Sequence, residues 1–159
     1  MKIAIDCDDA ATSLKAVLVD HLKSTGRDVT DLDYAAGKKD PLYPEIGYNL
    51  ALKLQDGTYD RGILICGTGL GMAMIANKVQ GVFAGVCHDC FSAERLKKSN
   101  DANVLTLGER VVGPELAKMI VDAWLNSEFS GGGSTSKVEQ MRRLENESFE
   151  KIGRNPCKK

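Results

Sequence analysis

Short apolar runs alternate along the chain with segments of helical periodicity. In the run Lys2–Cys7 the apolar residues stand at consecutive positions, which is typical of a strand buried on both faces. Similar runs at 27–32, 61–66, 82–87 and 103–107 predict four more strands. Because helical patterns separate these runs, the sequence predicts an α/β fold with a mainly parallel sheet.

The helical segments are amphipathic. A stripe at helical spacing consists of Leu14, Val17, Leu18 and Leu22. Pro114 suits the first turn of a later helix, and the buried face predicted for that helix consists of Leu116, Ile120, Ala123 and Trp124.

The composition divides the chain into a main domain and an appended helix. Residues 1–129 are predicted to form the α/β domain, and the Gly/Ser-rich stretch 130–136 a flexible hinge. Residues 137–153 predict an amphipathic helix, for which packing on its own domain and packing on a partner subunit both remain open. Residues 154–159 are predicted to be a disordered tail.

Charge and composition exclude several classes of protein. The 21 basic and 22 acidic residues give a formal net charge of -1, whereas nucleic-acid and membrane surfaces favour a basic excess. No apolar run approaches the roughly 20 residues of a membrane helix, and the N-terminus lacks the organisation of a signal peptide. The five cysteines, an odd number, argue against a disulfide framework. We therefore expect a cytoplasmic protein with reduced thiols.

A glycine-rich segment is the strongest local signal of function. Cys66 ends a buried strand, and the glycine loop that follows, residues 67–71, opens a helix. Ligands of open α/β sheets bind at the carboxyl ends of strands, and free amides at a helix start suit an anion. The third glycine stands one position too early for a dinucleotide fingerprint, and no Gly-Lys-Ser/Thr follows for a Walker loop. The segment therefore predicts a site for an anion.

Cys66 is a candidate general base at the mouth of this loop. A thiol at the start of a helix ionises more readily than a free thiol. The alternative is a buried core cysteine, because free cysteine is among the most buried residue types.

Other polar residues have both a structural and a functional interpretation. Asp8 and Asp9 end the first strand, where aspartate either caps a helix or binds substrate hydroxyls. The segment 87–90 is a C-x-x-C motif, but no second Cys/His pair stands at ligand spacing, so a strand end is favoured over a metal site. His88 would then lie near the ligand-binding edge of the sheet. Ser99 and Asn100 precede the fifth strand, as a plain turn or as a polar wall of the site.

The chain resembles the ribose-5-phosphate isomerase B and galactose-6-phosphate isomerase family over residues 2–139. The segments that carry the resemblance, in order and at the family's spacing, are 7–8, 43–44, 65–71, 76–78, 92–93, 100–105 and 108–113. The resemblance implies a five-stranded parallel sheet between helices, that is, a three-layer, Rossmann-like α/β/α sandwich. It also implies a homodimer with shared active sites, or a tetramer, and no metal or organic cofactor.

The resemblance further implies an aldose–ketose isomerase of small sugar phosphates. Cys66 would move a proton between C1 and C2 through an enediolate, assisted by Thr68 at the ring or chain oxygen. The enediolate oxygen would be held by the amides of Gly67, Gly69, Leu70 and Gly71, and one such donor supplies on the order of 3 kcal/mol. Contacts to the sugar would come from Asp8, Tyr43 and Asn100, and Arg110 would reach the phosphate of the neighbouring subunit's substrate.

The chain departs from the ribose-specific pattern at four positions. Ser99 stands where those members carry the ring-opening histidine, and Asp9 replaces a histidine at the phosphate end. Gly133 and Lys137 replace two phosphate-binding arginines. A substrate that forms no stable furanose ring needs no ring-opening acid. Four-carbon sugar phosphates meet that condition, and residues 56–60, 88–89 and 92–95 resemble the erythrulose-phosphate branch. We therefore expect a tetrose-phosphate isomerase, with ribose 5-phosphate as the alternative substrate.

Two other classes of function remain open at this point. A flavodoxin-like module for a nucleotide or a flavin shares the predicted fold, but the glycine spacing and the absence of an aromatic pair count against it. A non-catalytic or heteromeric subunit of the same family would explain the replaced histidines and arginines. Retention of Cys66 together with the whole glycine loop favours an enzyme.

Overall fold

The structure, a computed structural model, describes residues 1–39 and 41–154, the last three of them by their backbone alone. One sheet contains the five parallel strands β1 (Lys2–Cys7), β2 (Asp28–Asp31), β3 (Arg61–Cys66), β4 (Ala84–Val86) and β5 (Val104–Gly108). Their spatial order is β2-β1-β3-β5-β4. The α/β fold with a five-stranded parallel sheet is therefore confirmed.

Helices cover both faces of this sheet. They are α1 (Thr12–Ser24), α2 (Tyr43–Gln55), α3 (Leu70–Ala76), α4 (Cys90–Lys98), α5 (Pro114–Leu125) and α6 (Thr135–Arg154). Short 3-10 turns occupy Asp9–Ala11 and Gly132–Ser134. The core between the sheet and α1, α4 and α5 is centred on Trp124, and a second core lies under α2 and α3. These two cores give the predicted three-layer sandwich.

The two-residue period of β3 determines which core each of its side chains joins. Ile63 and Ile65 join the core beneath α1 and α5, whereas Leu64 and Cys66 join the core beneath α2 and α3. Arg61 is buried at the amino end of β3 and donates to the carbonyls of Trp124, Leu125 and Ser127 at 2.9, 3.2 and 2.9 Å. These carbonyls lie at the end of α5 and just beyond it, where helical hydrogen bonding stops.

The buried face predicted for α5 was partly wrong. Leu116 is 40% exposed, and the buried residues of the helix are Ala117, Ile120, Val121, Trp124 and Leu125. The stripe that faces α1 and α4 is therefore rotated by one residue from the predicted one. On α1, Val17 is only half-buried, whereas Lys15 and Val19 are buried.

Several element boundaries also differ from the prediction. The fourth strand is three residues long, shorter than the predicted 82–87. The stretch 130–136 contains a 3-10 turn and the first two residues of α6. Arg154, placed in the tail by the sequence, belongs to α6, and the rest of that segment lies outside the described residues.

Asn77 borders the edge strand β4 and pairs with its backbone. Its side-chain amide donates to the carbonyl of Ala84 at 2.9 Å, and its side-chain oxygen accepts from the N–H of Ala84 at 2.8 Å. The side chain of Asn77 thus occupies both the N–H and the C=O of Ala84, a residue at the edge of the sheet.

Candidate active site

Cys66 lies at the carboxyl end of β3, at the edge where the parallel strands all end. Its side chain is 7% exposed, and its Sγ accepts a hydrogen bond from the N–H of Gly69 at 3.0 Å. The residues after β5 bond to the same loop, because Glu109 and Arg110 donate their N–H groups to the carbonyls of Cys66 and Gly67 at 2.9 and 3.1 Å. Hydrogen bonds within the loop and from the residues that follow β5 therefore hold the loop that carries the thiol.

Gly69 has a conformation and a position that other residues could not adopt without strain. Its φ is +78°, and a Cβ there would lie 3.0 Å from the carbonyl oxygen of Leu107. Its own carbonyl accepts from the hydroxyl of Thr106 at 2.9 Å. With Gly69 held in this way, α3 begins at Leu70, within the segment 67–71 that was predicted to be a loop.

The other two glycines of the loop lie next to the side chains of Arg110 and Tyr43. A Cβ on Gly67 would lie 3.4 Å from Nε of Arg110, and a Cβ on Gly71 would lie 2.6 Å from Cε2 of Tyr43. The absence of a side chain at Gly71 therefore lets Tyr43 approach the loop, whereas Arg110 lies at ordinary contact distance from Gly67. In one chain the structure brings together Cys66, the glycine loop, Arg110 and Tyr43.

Thr68 and Leu70 occupy the exposed side of the same loop. The hydroxyl of Thr68 accepts from the N–H of Leu70 in the first turn of α3 at 3.4 Å, which is long for a hydrogen bond. Leu70 is 58% exposed. Both residues face solvent in the single chain, so a ligand or a second molecule can reach them.

A cleft of about 510 Å³ adjoins the loop, and Asp8, Asp9 and Tyr43 form part of its wall. The Asp8 side chain accepts from the N–H of Ala10 at 3.1 Å, as the capping interpretation predicts. Burial raises the pKa of Asp8, and the positive charge of Arg110 opposes that effect. Asp9 is exposed. The cleft therefore presents carboxylates that can accept hydrogen bonds from hydroxyl groups.

A buried ammonium group in the wall of the same cleft, that of Lys15, was not anticipated from the sequence. The Nζ of Lys15 lies 2.9 Å from Asp31, 3.5 Å from Asp33 and 3.9 Å from Asp6. Burial raises the pKa of Asp6, and it raises the pKa of the neighbouring Cys7 to about 12. Cys7 is therefore a neutral thiol, unlike the base expected at Cys66.

The two cysteines of the C-x-x-C motif lie between the end of β4 and the start of α4. Burial raises the pKa of Cys87 to about 11, so its thiol stays protonated, and both Cys87 and Cys90 are free. Among the described residues, no group of three His, Cys, Asp or Glu side chains is placed to hold a metal ion. His88 follows β4 at the carboxyl edge, and its buried Nε2 has no hydrogen-bond partner within the part of the chain that is described.

Three predicted site residues lie at the opposite edge of the sheet. Ser99 and Asn100 follow α4 and precede β5, so they lie at the amino ends of the strands. Lys137 is exposed near the start of α6. The turn and α6 are joined, because the carboxylate of Asp101 binds Lys97 at 2.6 Å and also Arg142 of α6. Within one chain, Ser99, Asn100 and Lys137 do not join Cys66.

Comparison with known proteins places this geometry in a family. The family model described as Ribose/Galactose Isomerase matches residues 3–141. A D-erythrulose-4-phosphate isomerase from Pectobacterium atrosepticum is 50% identical over 147 residues, which are 92% of this chain and 97% of that protein.

Solved structures agree in fold. Ribose-5-phosphate isomerase B from Clostridium thermocellum is 43% identical, with a TM-score of 0.87 over 93% of this chain and 99% of that one. The Mycoplasma genitalium enzyme of the same name, solved with bound ribulose-5-phosphate, is 35% identical, with a TM-score of 0.85 over 92% and 97% of the two chains.

Within the described residues, none of the helices combines the length and the apolar character needed to cross a bilayer.

The family match covers most of the chain, and the fold agrees with that of the solved relatives. The chain therefore belongs to the ribose/galactose isomerase family and is an isomerase.

Proposed function

We propose that this chain interconverts the aldose and ketose forms of small sugar phosphates, with Cys66 as the base that carries a proton between C1 and C2. The observation that carries the proposal is the contact between Cys66 and Gly69. The sulfur lies at the carboxyl edge of the sheet and accepts the N–H of Gly69 at 3.0 Å. A backbone dipole is thus directed at the atom that bears negative charge when the base is free.

The glycine loop supplies the rest of the electrostatic stabilisation. Removal of a proton next to a carbonyl leaves an enediolate, whose oxygen needs fixed hydrogen-bond donors. The amides of Leu70 and Gly71 open α3 beside Cys66, and Thr68 offers a hydroxyl at the exposed mouth of the loop. Asp8 and Tyr43 bind the sugar hydroxyls from the neighbouring cleft.

A second copy of the chain completes the site. Since Ser99, Asn100 and Lys137 lie at the edge of the sheet away from Cys66, they serve the site of a partner subunit. Leu70 is 58% and Met74 68% exposed on one face of α3 next to the loop, which is an apolar surface that a partner would bury. Arg110, beside Gly67, binds phosphate at the junction of the two subunits.

Within this class, we propose a four-carbon substrate. Serine is a poor acid at neutral pH, so Ser99 does not open a furanose ring, and a tetrulose phosphate needs no such step. The relative at 50% identity is named for erythrulose 4-phosphate. Relatives named for ribose 5-phosphate at lower identity make that pentose the competing substrate.

Turnover assays with D-erythrulose 4-phosphate and ribose 5-phosphate test the base and the substrate together. Cys66→Ala is expected to lower kcat by at least about 10²-fold, the range for loss of a general base. Cys90→Ala, a free and half-buried cysteine at the start of α4, is the matched control and retains activity. Full turnover by Cys66→Ala would refute Cys66 as the base. Faster turnover of ribose 5-phosphate than of D-erythrulose 4-phosphate would refute the four-carbon substrate.

Mixing two inactive chains tests the shared site. A Cys66→Ala chain and an Asn100→Ala chain each have defective sites alone, but a mixed dimer has one intact site. Random exchange in an equal mixture restores activity at about a quarter of all sites if the dimer is symmetric. No recovery after verified subunit exchange would contradict a site built from two chains.

A further inference from the structure

Thr106 is a fully buried hydroxyl residue in the middle of β5. Its neighbours along the strand, Leu105 and Leu107, are buried and apolar, and valine at its position would serve the strand equally well. Its Oγ donates to the carbonyl of Gly69 at 2.9 Å and lies 3.5 Å from the carbonyl of Gly85. The hydroxyl is thus used to hold the glycine loop.

The bond from Thr106 fixes the peptide plane that joins Gly69 to Leu70. The C=O and N–H of a trans peptide point in opposite directions. Since the carbonyl of Gly69 points at Thr106 inside the sheet, the N–H of Leu70 points out towards the mouth of the loop. The N–H of Ala73 also bonds to this carbonyl at 3.1 Å, which starts helix α3 from the same plane.

The same bond acts on the sulfur of Cys66. Gly69 has φ +78°, and the backbone of Leu107 leaves no room for a side chain there. The peptide groups on either side of Gly69 are therefore linked through a residue with little room to move. Its N–H is the donor to Sγ of Cys66 at 3.0 Å. Tilting the carbonyl of Gly69 would therefore also change the direction of its amide.

We propose that Thr106 is a positioning residue for the base and for the loop amides, and that it acts through Gly69. Its effect on turnover rests on the proposed function, whereas its effect on the thiol of Cys66 does not. Loss of the hydroxyl leaves the Ala73 bond in place, so the fold survives while the loop loses its fixed orientation.

The test compares Thr106→Val, which removes the hydroxyl at constant shape, with Thr106→Ser, which keeps it. In a Cys90→Ala background, iodoacetamide alkylation of Cys66 is followed by peptide mass mapping at pH 7. Thr106→Val is expected to slow alkylation about fivefold, the effect of one hydrogen bond, and to lower kcat by a similar factor with little change in KM. Thr106→Ser is expected to restore both rates, and Thr106→Ala to match Thr106→Val.

Thermal melting separates positioning from general destabilisation. Thr106→Val and Thr106→Ser are expected to differ in alkylation and in kcat while their melting temperatures stay close. Equal alkylation rates in the Val variant and the original chain would overturn the proposal, and so would losses in Val and Ser that follow the melting temperature. If the original chain fails to isomerise any sugar phosphate, the proposed function fails, but alkylation still decides the role of Thr106.

Discussion

Replacing Gly71 by alanine separates the role of the glycine loop from the stability of the fold. Gly71 lies in the first turn of α3, where alanine is a better helix former by about 1 kcal/mol. The added Cβ would lie 2.6 Å from Cε2, 2.8 Å from Cζ and 3.1 Å from the hydroxyl of Tyr43. Carbon atoms in contact stay about 3.5–4.0 Å apart, so the Tyr43 ring must move by roughly 1 Å.

This movement of the Tyr43 ring is expected to change the free energy of unfolding little and to lower kcat/KM strongly. Tyr43 is partly exposed at the start of α2, so its ring can swing towards solvent at a cost below the helix gain. The free energy of unfolding is therefore expected to stay within about 1 kcal/mol of the original value. Displacement of a substrate-contacting group by about 1 Å can cost on the order of 10²-fold in rate, so kcat/KM is expected to fall 10- to 100-fold.

The assay pairs urea unfolding with turnover of erythrulose 4-phosphate. Gly113→Ala is the control, because a Cβ on Gly113 meets nothing within 4 Å, and its kcat/KM should match that of the original chain. Gly71→Ala with full activity would show that Tyr43 does not contact the reacting sugar. A decrease of several kcal/mol in the free energy of unfolding of Gly71→Ala would show that the Tyr43 ring cannot move aside.

Two further predictions concern buried cations. Arg61→Met removes the donor of the buried carbonyls of Leu125 and Ser127 and one of the two donors of the Trp124 carbonyl, and it is expected to lower the free energy of unfolding by about 3 kcal/mol. In urea titrations the exposed Arg143→Met should change the free energy of unfolding by less than about 0.5 kcal/mol. Burial opposes the charge of Lys15, but its bond to Asp31 and the other nearby negative charges outweigh that effect and raise its pKa above the usual 10.5. This stabilisation is complete below pH 10.5 and is lost at higher pH. In unfolding curves measured above pH 10.5, the difference in the free energy of unfolding between the original chain and Lys15→Met should therefore shrink. A difference that stays constant with pH would refute the ion-pair account.

Fold class and strand positions could be predicted because the buried strands are almost purely apolar. Consecutive apolar residues identify β1 and β3 to the residue. The start of α3 was missed because it depends on the left-handed Gly69 and on Thr106 below it, a contact between residues 37 apart in sequence. The exposure of Leu116 likewise depends on how α5 is rotated against α1 and α4, which local periodicity does not determine.

The residues of the candidate site were easier to name from the sequence than the residues that support them. The glycine loop with Cys66 is a local motif, so its composition was readable from one stretch of sequence. Thr106 and Lys15 are single polar residues in otherwise ordinary elements, and only the folded chain places them beside Gly69 and three carboxylates. Ser99 and Asn100 could be named from resemblance, whereas their position at the far edge of the sheet follows from the path of α4.

The side chain of Asn77 covers part of one edge of the sheet, at Ala84 of strand β4. An unpaired row of N–H and C=O groups is a template on which a foreign strand can add, and edge strands are where sheets begin to aggregate. Asn77 bonds to both groups of Ala84, so in the folded chain this residue cannot pair with a foreign strand. Because β4 is only three residues long, covering one of them shortens the template that the edge presents to other chains.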